Sequence, residues 1–331
     1  MARYGDLPHA ARRACPIRRR RTGAGGMTDA RMLTTIWPIF ALIWLGFGLA
    51  RWRVPTAEFW PAAERLNYFV LFPALLVASL ADAPVSDPAV LRLGGAAVAT
   101  IILAAIALAV LRRVRPMPAG RYGPVVQGVI RFNTYLALSL IATFAGPDGL
   151  EKAAFYLALA VPLVNLLSIL ALSDTGTARA PRALLRTVMT NPLILACCVG
   201  LTLAVSGIGL PFGMDRLMAL LGQGSLPLGL LCVGAALRPR SLPADAPALI
   251  ANSAVRLLLM PLLGLAVARL FGLAETEVFI LIVFCAVPTA PTAYVLTQQM
   301  RGDGQMMAGI VTLQTMAAVV TIPLMLAILT G

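Results

Sequence analysis

The sequence has little charge and almost no histidine or lysine. Charged residues make up 12% of the 331 residues, whereas a soluble globular domain carries about 25%. One histidine, His9, and five cysteines cannot supply a usual metal site or a disulfide framework. Disorder is excluded as well, because it needs low hydrophobicity and hydrophobic residues make up 59% of the chain. The composition therefore predicts an all-α membrane protein that crosses the lipid bilayer several times.

The distribution of the positive charge argues against a nucleic-acid partner. The net charge is +13, and residues 1–26 hold seven arginines. Most of the other basic residues lie between apolar blocks, as in loops that flank a membrane, and do not form a DNA-binding face. Residues 1–31 are interpreted as a basic tail that either lies on the membrane surface or precedes the true start of the protein at Met27.

Ten apolar blocks follow the tail, each near the length of roughly 20 residues that crosses a bilayer. Loops after the odd-numbered blocks hold most of the basic residues, which places these loops in the cytoplasm and both termini outside it. An arginine-rich tail on the outside would conflict with this orientation, so we favour the Met27 start. With approximate ends, the blocks are Leu33–Ala50, Arg65–Ala81, Ala89–Leu111, Tyr122–Ala145, Lys152–Leu172, Asn191–Leu210, Leu217–Leu237, Ala246–Phe271, Glu277–Met300 and Gln305–Thr330.

Prominent residues recur in the same order in the two halves of the chain, which indicates an internal repeat. Five blocks per half is an odd number, so the halves would have opposite topology. Inverted repeats with interrupted helices are typical of secondary transporters. We predict a first repeat at 32–172, a cytoplasmic linker at 173–190 and a second repeat at 191–331; the alternative is chance, since proline is common here. The corresponding positions are Pro38 and Pro192, Pro73 and Pro227, Asn133 and Pro288, and Pro162 and Pro323.

The ninth block carries the clearest anomaly, the two prolines of Pro288-Thr289-Ala290-Pro291. They break the helix, free backbone amides and carbonyls, and leave a half-helix N-terminus that can receive an anion. The corresponding stretch of the fourth block, Arg131-Phe132-Asn133-Thr134, lacks proline but carries polar side chains at the matching depth. The alternative is a pair of kinks that only improve packing.

Two arginines lie deep in the blocks, whereas every acid lies near a block end or in a loop. Buried charges in a membrane usually face the protein interior or a water-filled cavity, and arginine suits bidentate binding of a carboxylate. We therefore predict an electropositive cavity; the alternatives are arginines that snorkel to an interface and polar side chains that only bond neighbouring helices. The predicted binding residues are Arg131, Asn133, Thr134, Pro288, Thr289, Ala290, Pro291, Arg256, Gln127 and Gln314. Without a buried carboxylate, movement would depend on membrane potential or on ions held by carbonyls and hydroxyls.

Several stretches between Met32 and the C-terminus together resemble the auxin efflux carrier family, related to the plant PIN carriers and to bacterial malate permeases. They are Trp37-Pro38-Ile39-Phe40, Arg131-Phe132-Asn133-Thr134-Tyr135, Asn191-Pro192-Leu193-Ile194, Pro227-Leu228-Gly229-Leu230 with Val233-Gly234-Ala235, and Pro288-Thr289-Ala290-Pro291-Thr292-Ala293-Tyr294 running on to Thr321-Ile322-Pro323-Leu324.

The resemblance implies ten helices in two inverted five-helix repeats. Spans 1, 2, 6 and 7 would form a scaffold, and spans 3–5 and 8–10 a moving transport domain in which broken helices 4 and 9 cross beside the substrate. It also implies export of organic anions, often by a homodimer. The plant carriers have proline at both crossing helices, whereas the fourth span here has Asn133-Thr134, which implies a softer break.

Taken together, these features predict a secondary transporter for a small organic anion, an auxin-like carboxylate or a dicarboxylate. The ratio of 26 arginines to one lysine and the abundance of alanine suggest a bacterium with a high-GC genome, and hence a bacterial cytoplasmic membrane. The rival hypothesis is a non-transporting receptor or assembly subunit. An intramembrane enzyme is disfavoured, because the blocks lack a nucleophile with its base, a metal cluster or paired acids. No cofactor is predicted.

Overall fold

The computed structural model describes residues 29–81, 88–173 and 191–330, and within these ranges the chain is helical and forms no strand. A helix satisfies its own backbone hydrogen bonds, which a chain surrounded by lipid requires. Residues 1–28 of the predicted tail and 174–190 of the predicted linker lie outside the described residues. The helices are α1 (Asp29–Arg51), α2 (Phe59–Leu80), α3 (Pro88–Val114), α4 (Ala119–Ile130), α5 (Thr134–Leu172), α6 (Pro192–Ser206), α7 (Met214–Ala235), α8 (Ala246–Leu270), α9 (Glu275–Ala286), α10 (Thr292–Gln299) and α11 (Gly304–Thr330).

Six helical segments of the described part are long and apolar enough to cross a bilayer. Two shorter apolar helices lie at Ile36–Arg51 and Pro192–Ser206, and α9 and α10 are only 12 and 8 residues long. The prediction of an all-α membrane protein is therefore confirmed, while ten crossings in two inverted repeats remain a prediction. The six segments are Phe59–Leu80, Pro88–Val114, Ala119–Leu172, Met214–Ala235, Ala246–Leu270 and Gly304–Leu329.

The longest helix, α5, bends sharply at Gly146. This residue has φ 63° and ψ −157°, a backbone conformation that only glycine adopts readily. Pro147 follows it and cannot donate a backbone hydrogen bond across the bend. The bend divides α5 into a first segment near the helix breaks and a second segment beyond it, close to the predicted boundary between the fourth and fifth apolar blocks.

Two helices widen into a π-helical turn that ends two residues before a proline. The turn covers Asn67–Leu71 in α2, where Pro73 follows, and Val255–Leu259 in α8, where Pro261 follows. Proline lacks the N–H and clashes with the carbonyl one turn earlier, so the helix relieves the clash by widening. Such bulges often occur at functional sites, and the second one contains Arg256.

The helices pack in two groups. In the first group α1 and α2 pack against α7, and α2 also packs against α6. In the second, α5 contacts α3, α4 and α9, and α9 contacts α8 and α11. Glycines let the backbones of α1 and α7 touch: a Cβ at Gly234 would lie 1.8 Å from the Ile43 carbonyl oxygen, and one at Gly46 would lie 2.1 Å from that of Leu231. Small residues at such crossings are typical of membrane helix pairs.

Candidate functional site

Two helix breaks meet at the centre of the described structure. The first separates the end of α4 at Ile130 from the start of α5 at Thr134, and the second separates the end of α9 at Ala286 from the start of α10 at Thr292. The backbone N–H of Asn133 donates to the Pro288 carbonyl at 2.8 Å, so the breaks are in direct contact. Two helix C-termini and two helix N-termini therefore converge on one place.

The first break forms without proline because Asn133 caps the following helix. Its backbone is extended, with ψ 101°, and its Oδ1 accepts a hydrogen bond from the backbone N–H of Leu136 at 3.1 Å. Asparagine is among the best N-cap residues, since its side chain replaces a missing backbone acceptor. The Asn133 cap thus begins the next helix segment without a proline. The structure shows no softer break at this position.

The second break follows from its prolines. Val287 precedes Pro288 and adopts the extended conformation that proline imposes on its predecessor, with ψ 148°. Pro288 and Pro291 each lack a backbone N–H, so the ladder of α9 cannot continue through them. Thr289 lies between them, is fully buried and donates its hydroxyl to the Gln127 carbonyl at 3.0 Å.

Arg256 binds the carbonyl ends of both interrupted helices and does not line a cavity. Its Nη1 donates to Val129 of α4 at 2.8 Å, and its Nη2 and Nε donate to Phe284 at 2.6 Å and Val287 at 2.8 Å. The side chain is 1% exposed. Helix C-termini carry partial negative charge and unpaired carbonyls, so this guanidinium stabilises two ends at once. Arg256 was predicted to bind the anion in a cavity, but its contacts assign it to stabilising the two helix breaks.

Gln127 and Gln314 also form hydrogen bonds at the two breaks. Gln314 accepts a hydrogen bond from the Thr289 backbone N–H at 2.8 Å and donates to the Gly128 carbonyl at 2.9 Å and to Asn252 at 3.0 Å. Gln127 donates to the Thr297 hydroxyl at 2.9 Å. Both glutamines are fully buried. The Gln314 side chain thereby pairs backbone groups of both break regions, as buried polar groups require, whereas the Gln127 side chain joins α4 to α10.

A cavity of about 640 Å³ opens on the other side of the breaks. Its walls come from α2, α6 and α7 of the first packing group and from α5, α10 and both breaks of the second. Most of the wall surface is apolar or aromatic, as is typical of small-molecule sites, and it also carries charged and amide side chains. Five of the predicted binding residues line it: Arg131, Asn133, Thr134, Ala290 and Pro291. The other five, Gln127, Arg256, Pro288, Thr289 and Gln314, do not.

Two hydrogen-bond donors beside this cavity have no acceptor among the described residues. They are Nη1 of Arg131 and Nδ2 of Asn133, and both atoms are buried. The other terminal nitrogen of Arg131, Nη2, makes only a long contact of 3.4 Å to the Thr292 hydroxyl. A buried donor without a partner is costly, so the pair is suited to a ligand that brings acceptor oxygens. Arg131 adds a positive charge that favours an anion.

Sequence reasoning missed Glu64, which also lines the cavity. The second apolar block was predicted to begin at Arg65, which would leave Glu64 at a membrane boundary. In the structure α2 begins at Phe59, so Glu64 lies inside the helix and is half-buried. Its predicted place near a block end therefore did not reveal that it lies on the cavity wall. Its spacing from Asn67 and Tyr68, three and four residues on, is the signal that could have identified one polar helix face.

A fully buried carboxylate, that of Glu277, lies at the first turn of α9. Its side chain is 2% exposed and forms an ion pair with Lys152 of α5. One carboxylate oxygen, Oε1, accepts from the lysine, while Oε2 has no partner among the described residues. The pair joins two helices of the second packing group and lies outside the cavity.

Comparison with known proteins agrees with this architecture. Residues 175–326 match the family described as membrane transport protein, and no curated protein matches the chain. The match covers α6 to most of α11, and so includes the second break and Arg256. The resemblance predicted from the sequence is thereby confirmed: residues 175–326, somewhat less than half of the chain, are similar to the membrane transport protein family, the family of the auxin efflux carriers.

Proposed function

We propose that the protein is a secondary transporter that moves a small organic anion across a bacterial cytoplasmic membrane by alternating access. The observation that carries this proposal is the pair of unpartnered donors, Arg131 Nη1 and Asn133 Nδ2, at a cavity between two helix breaks. Broken helices at a central cavity are the usual construction of secondary transporters, whose half-helix N-termini attract anionic groups. The family match supports membrane transport, whereas the anionic substrate is inferred from the positive charge of Arg131.

The proposal includes ten membrane crossings in two inverted repeats. α4 with the first segment of α5 would form one broken crossing, and α9 with α10 the other. The two packing groups support a division into a scaffold of α1, α2, α6 and α7 and a moving domain of the remaining helices, because the cavity lies between the groups. Both termini outside the cytoplasm and a homodimer also belong to this proposal.

The walls of the cavity favour an anion with one carboxylate and an apolar body over a dicarboxylate. Arg131 and Asn133 offer the two unpartnered donors, whereas Phe69, Phe72 and Tyr135 contribute aromatic wall. A second carboxylate would share the cavity with the negative charge of Glu64, which would repel it. An aromatic or aliphatic body would instead bury apolar surface, which is favourable.

Uptake into proteoliposomes tests the proposal. Purified protein is reconstituted, and uptake of radiolabelled indole-3-acetate, lactate, malonate and malate is measured. We expect saturable uptake of a monocarboxylate, and a reduction of about 10- to 100-fold in Arg131→Gln, since a charge-assisted hydrogen bond contributes about 1.5–3 kcal/mol. Arg269→Gln is the matched control, because Arg269 is exposed near the end of α8 and lies outside the cavity.

Saturable binding without uptake would instead support the receptor hypothesis. Binding is measured on the same protein in detergent, so the two outcomes are read from one preparation. If Arg131→Gln transports as well as the wild type, the assignment of the anion site is wrong.

A further inference from the structure

We propose that Glu64 is a proton-binding site that couples anion binding to proton uptake. The inference rests on the proposed function and deepens it, because it assigns the coupling ion. Glu64 is a half-buried carboxylate on the wall of the cavity that Arg131 and Asn133 also line. No hydrogen bond to its side chain is present among the described residues, so no neighbouring donor is committed to the ionised form.

The charged and titratable groups around Glu64 leave its charge without a fixed partner. Arg65 and Tyr68 share α2 with it, Tyr135 faces it from α5, and Cys232 faces it from α7. Arg65 is the next residue and also lines the cavity, but it is exposed and forms no ion pair with Glu64. Neither a tyrosine nor a cysteine supplies a positive charge. Arg131, at the first break, is the second cation of the cavity wall and is far from Glu64 in the sequence.

An arriving anion changes this balance. When the cavity is empty, Arg65 and Arg131 bring positive charge to its wall and Glu64 brings negative charge. When an organic anion binds Arg131, two negative charges share a cavity with largely apolar walls, and like charges in such a setting disfavour ionisation of one of them. A proton from the aqueous phase then binds a carboxylate oxygen of Glu64, and the net charge of the site is unchanged. One anion and one proton would therefore cross together.

This inference revises the expectation drawn from the sequence. The absence of an interior carboxylate predicted movement driven by membrane potential or by ions held at carbonyls. Glu64 supplies a carboxylate on the cavity wall, whereas the buried Glu277 lies outside the cavity. The carbonyls of Val129, Phe284 and Val287 are already bound by Arg256. The Glu64 carboxylate is thus an acceptor in the cavity that a proton can occupy.

Proton uptake on anion binding tests the proposal directly. Indole-3-acetate is added to the detergent-solubilised protein in lightly buffered solution, and the pH change is followed with an indicator dye while binding is measured by equilibrium dialysis. We expect about one proton taken up for each anion bound by the wild type. Glu64→Gln should bind the anion without proton uptake, and Glu64→Asp should retain uptake.

Glu58→Gln is the matched control, because Glu58 immediately precedes α2 and is exposed outside the cavity. Hydrogen bonds from its own backbone N–H and from the Thr56 side chain, together with nearby Arg53, keep the pKa of this carboxyl below its usual value. Its loss should leave proton uptake unchanged. Gel filtration and thermal unfolding show that each variant is folded.

The outcomes separate the two proposals. Anion binding without proton uptake in the wild type overturns the coupling role of Glu64 and leaves the transporter intact, as does equal uptake in Glu64→Gln. If neither indole-3-acetate nor any other anion of the panel binds, the proposed function fails and this inference fails with it. Infrared difference spectra over pH provide an independent reading, since a protonated carboxyl signal that Glu64→Gln abolishes identifies the residue.

Discussion

The backbone N–H of Asn133 donates to the carbonyl of Pro288 at 2.8 Å, and this bond joins the two helix breaks. The two residues come from opposite halves of the chain and occupy corresponding positions in the proposed repeat. Each supplies what the other lacks: proline frees a carbonyl by ending a helix, and asparagine retains the N–H that proline does not have. The asymmetry of the two breaks is therefore what permits their contact.

The first prediction separates the two roles of Asn133. Asn133→Asp keeps an acceptor for the Leu136 N–H and a favourable charge at a helix N-terminus. We expect its thermal stability to match the wild type and its binding of indole-3-acetate to fall at least about tenfold, because it replaces a donor with a negative charge. Asn133→Ala should lose about 1 kcal/mol of stability through the missing cap. Unchanged binding in the aspartate variant would contradict this site.

The second prediction concerns Arg256, whose removal leaves three buried carbonyls unpaired. We expect Arg256→Met to lose about 3 kcal/mol of stability or more, since each unsatisfied buried group costs about 1–3 kcal/mol. Thermal unfolding in detergent measures the loss. Arg269→Met, which removes an exposed arginine of the same helix, should unfold near the wild-type temperature. Equal stability of the two variants would show that Arg256 does not hold the breaks.

The third prediction is that sodium is not required. In broken-helix transporters sodium is commonly held by the carbonyl ends of the half-helices, and here Arg256 binds those of Val129, Phe284 and Val287. Uptake into proteoliposomes should therefore be unchanged when N-methylglucamine replaces sodium on both sides. A loss of uptake that sodium alone restores would refute this prediction.

The fourth prediction concerns the contact between α1 and α7. Gly234→Val would place a side chain where a Cβ already lies 1.8 Å from the Ile43 carbonyl oxygen, so the helices must separate. We expect a loss of stability of at least about 1–3 kcal/mol, the usual range for overpacking. Gly48→Ala serves as the control, because a Cβ at Gly48 would meet only Trp52 at 3.8 Å. Similar unfolding temperatures for both variants would argue against this close packing.

Much of the fold could be predicted from the sequence, because the signals for helices in a membrane are local. Apolar length predicts where α3 and α11 lie, and the two prolines of 288–291 predict where α9 ends. The structure places the start of α2 six residues before the predicted one, at Phe59. The difference arises because the first turns of α2 carry Glu64 and Arg65, so their sequence lacks the apolar pattern of a membrane segment.

The candidate site could be predicted only in part, because a sequence does not give the direction of a side chain. Arg131 and Arg256 are both deep in apolar blocks, and both were predicted to bind the anion. In the structure one reaches the cavity and the other reaches three carbonyls. What distinguishes them is tertiary: Arg256 lies on a π-helical turn beside two helix ends that are far from it in the sequence.

The hydrogen bonds at the breaks have a consequence for how the protein is assembled during synthesis. Arg256 and Gln314 bind carbonyls of Val129 and Gly128, which are made long before them by the ribosome. The hydrogen bonds at the end of α4 can therefore form only after the second half of the chain has been inserted. A shortened chain that stops before Arg256 should be recognised by cellular quality control as incomplete. Gene fragments that encode the two halves should yield a stable protein only when they are expressed together.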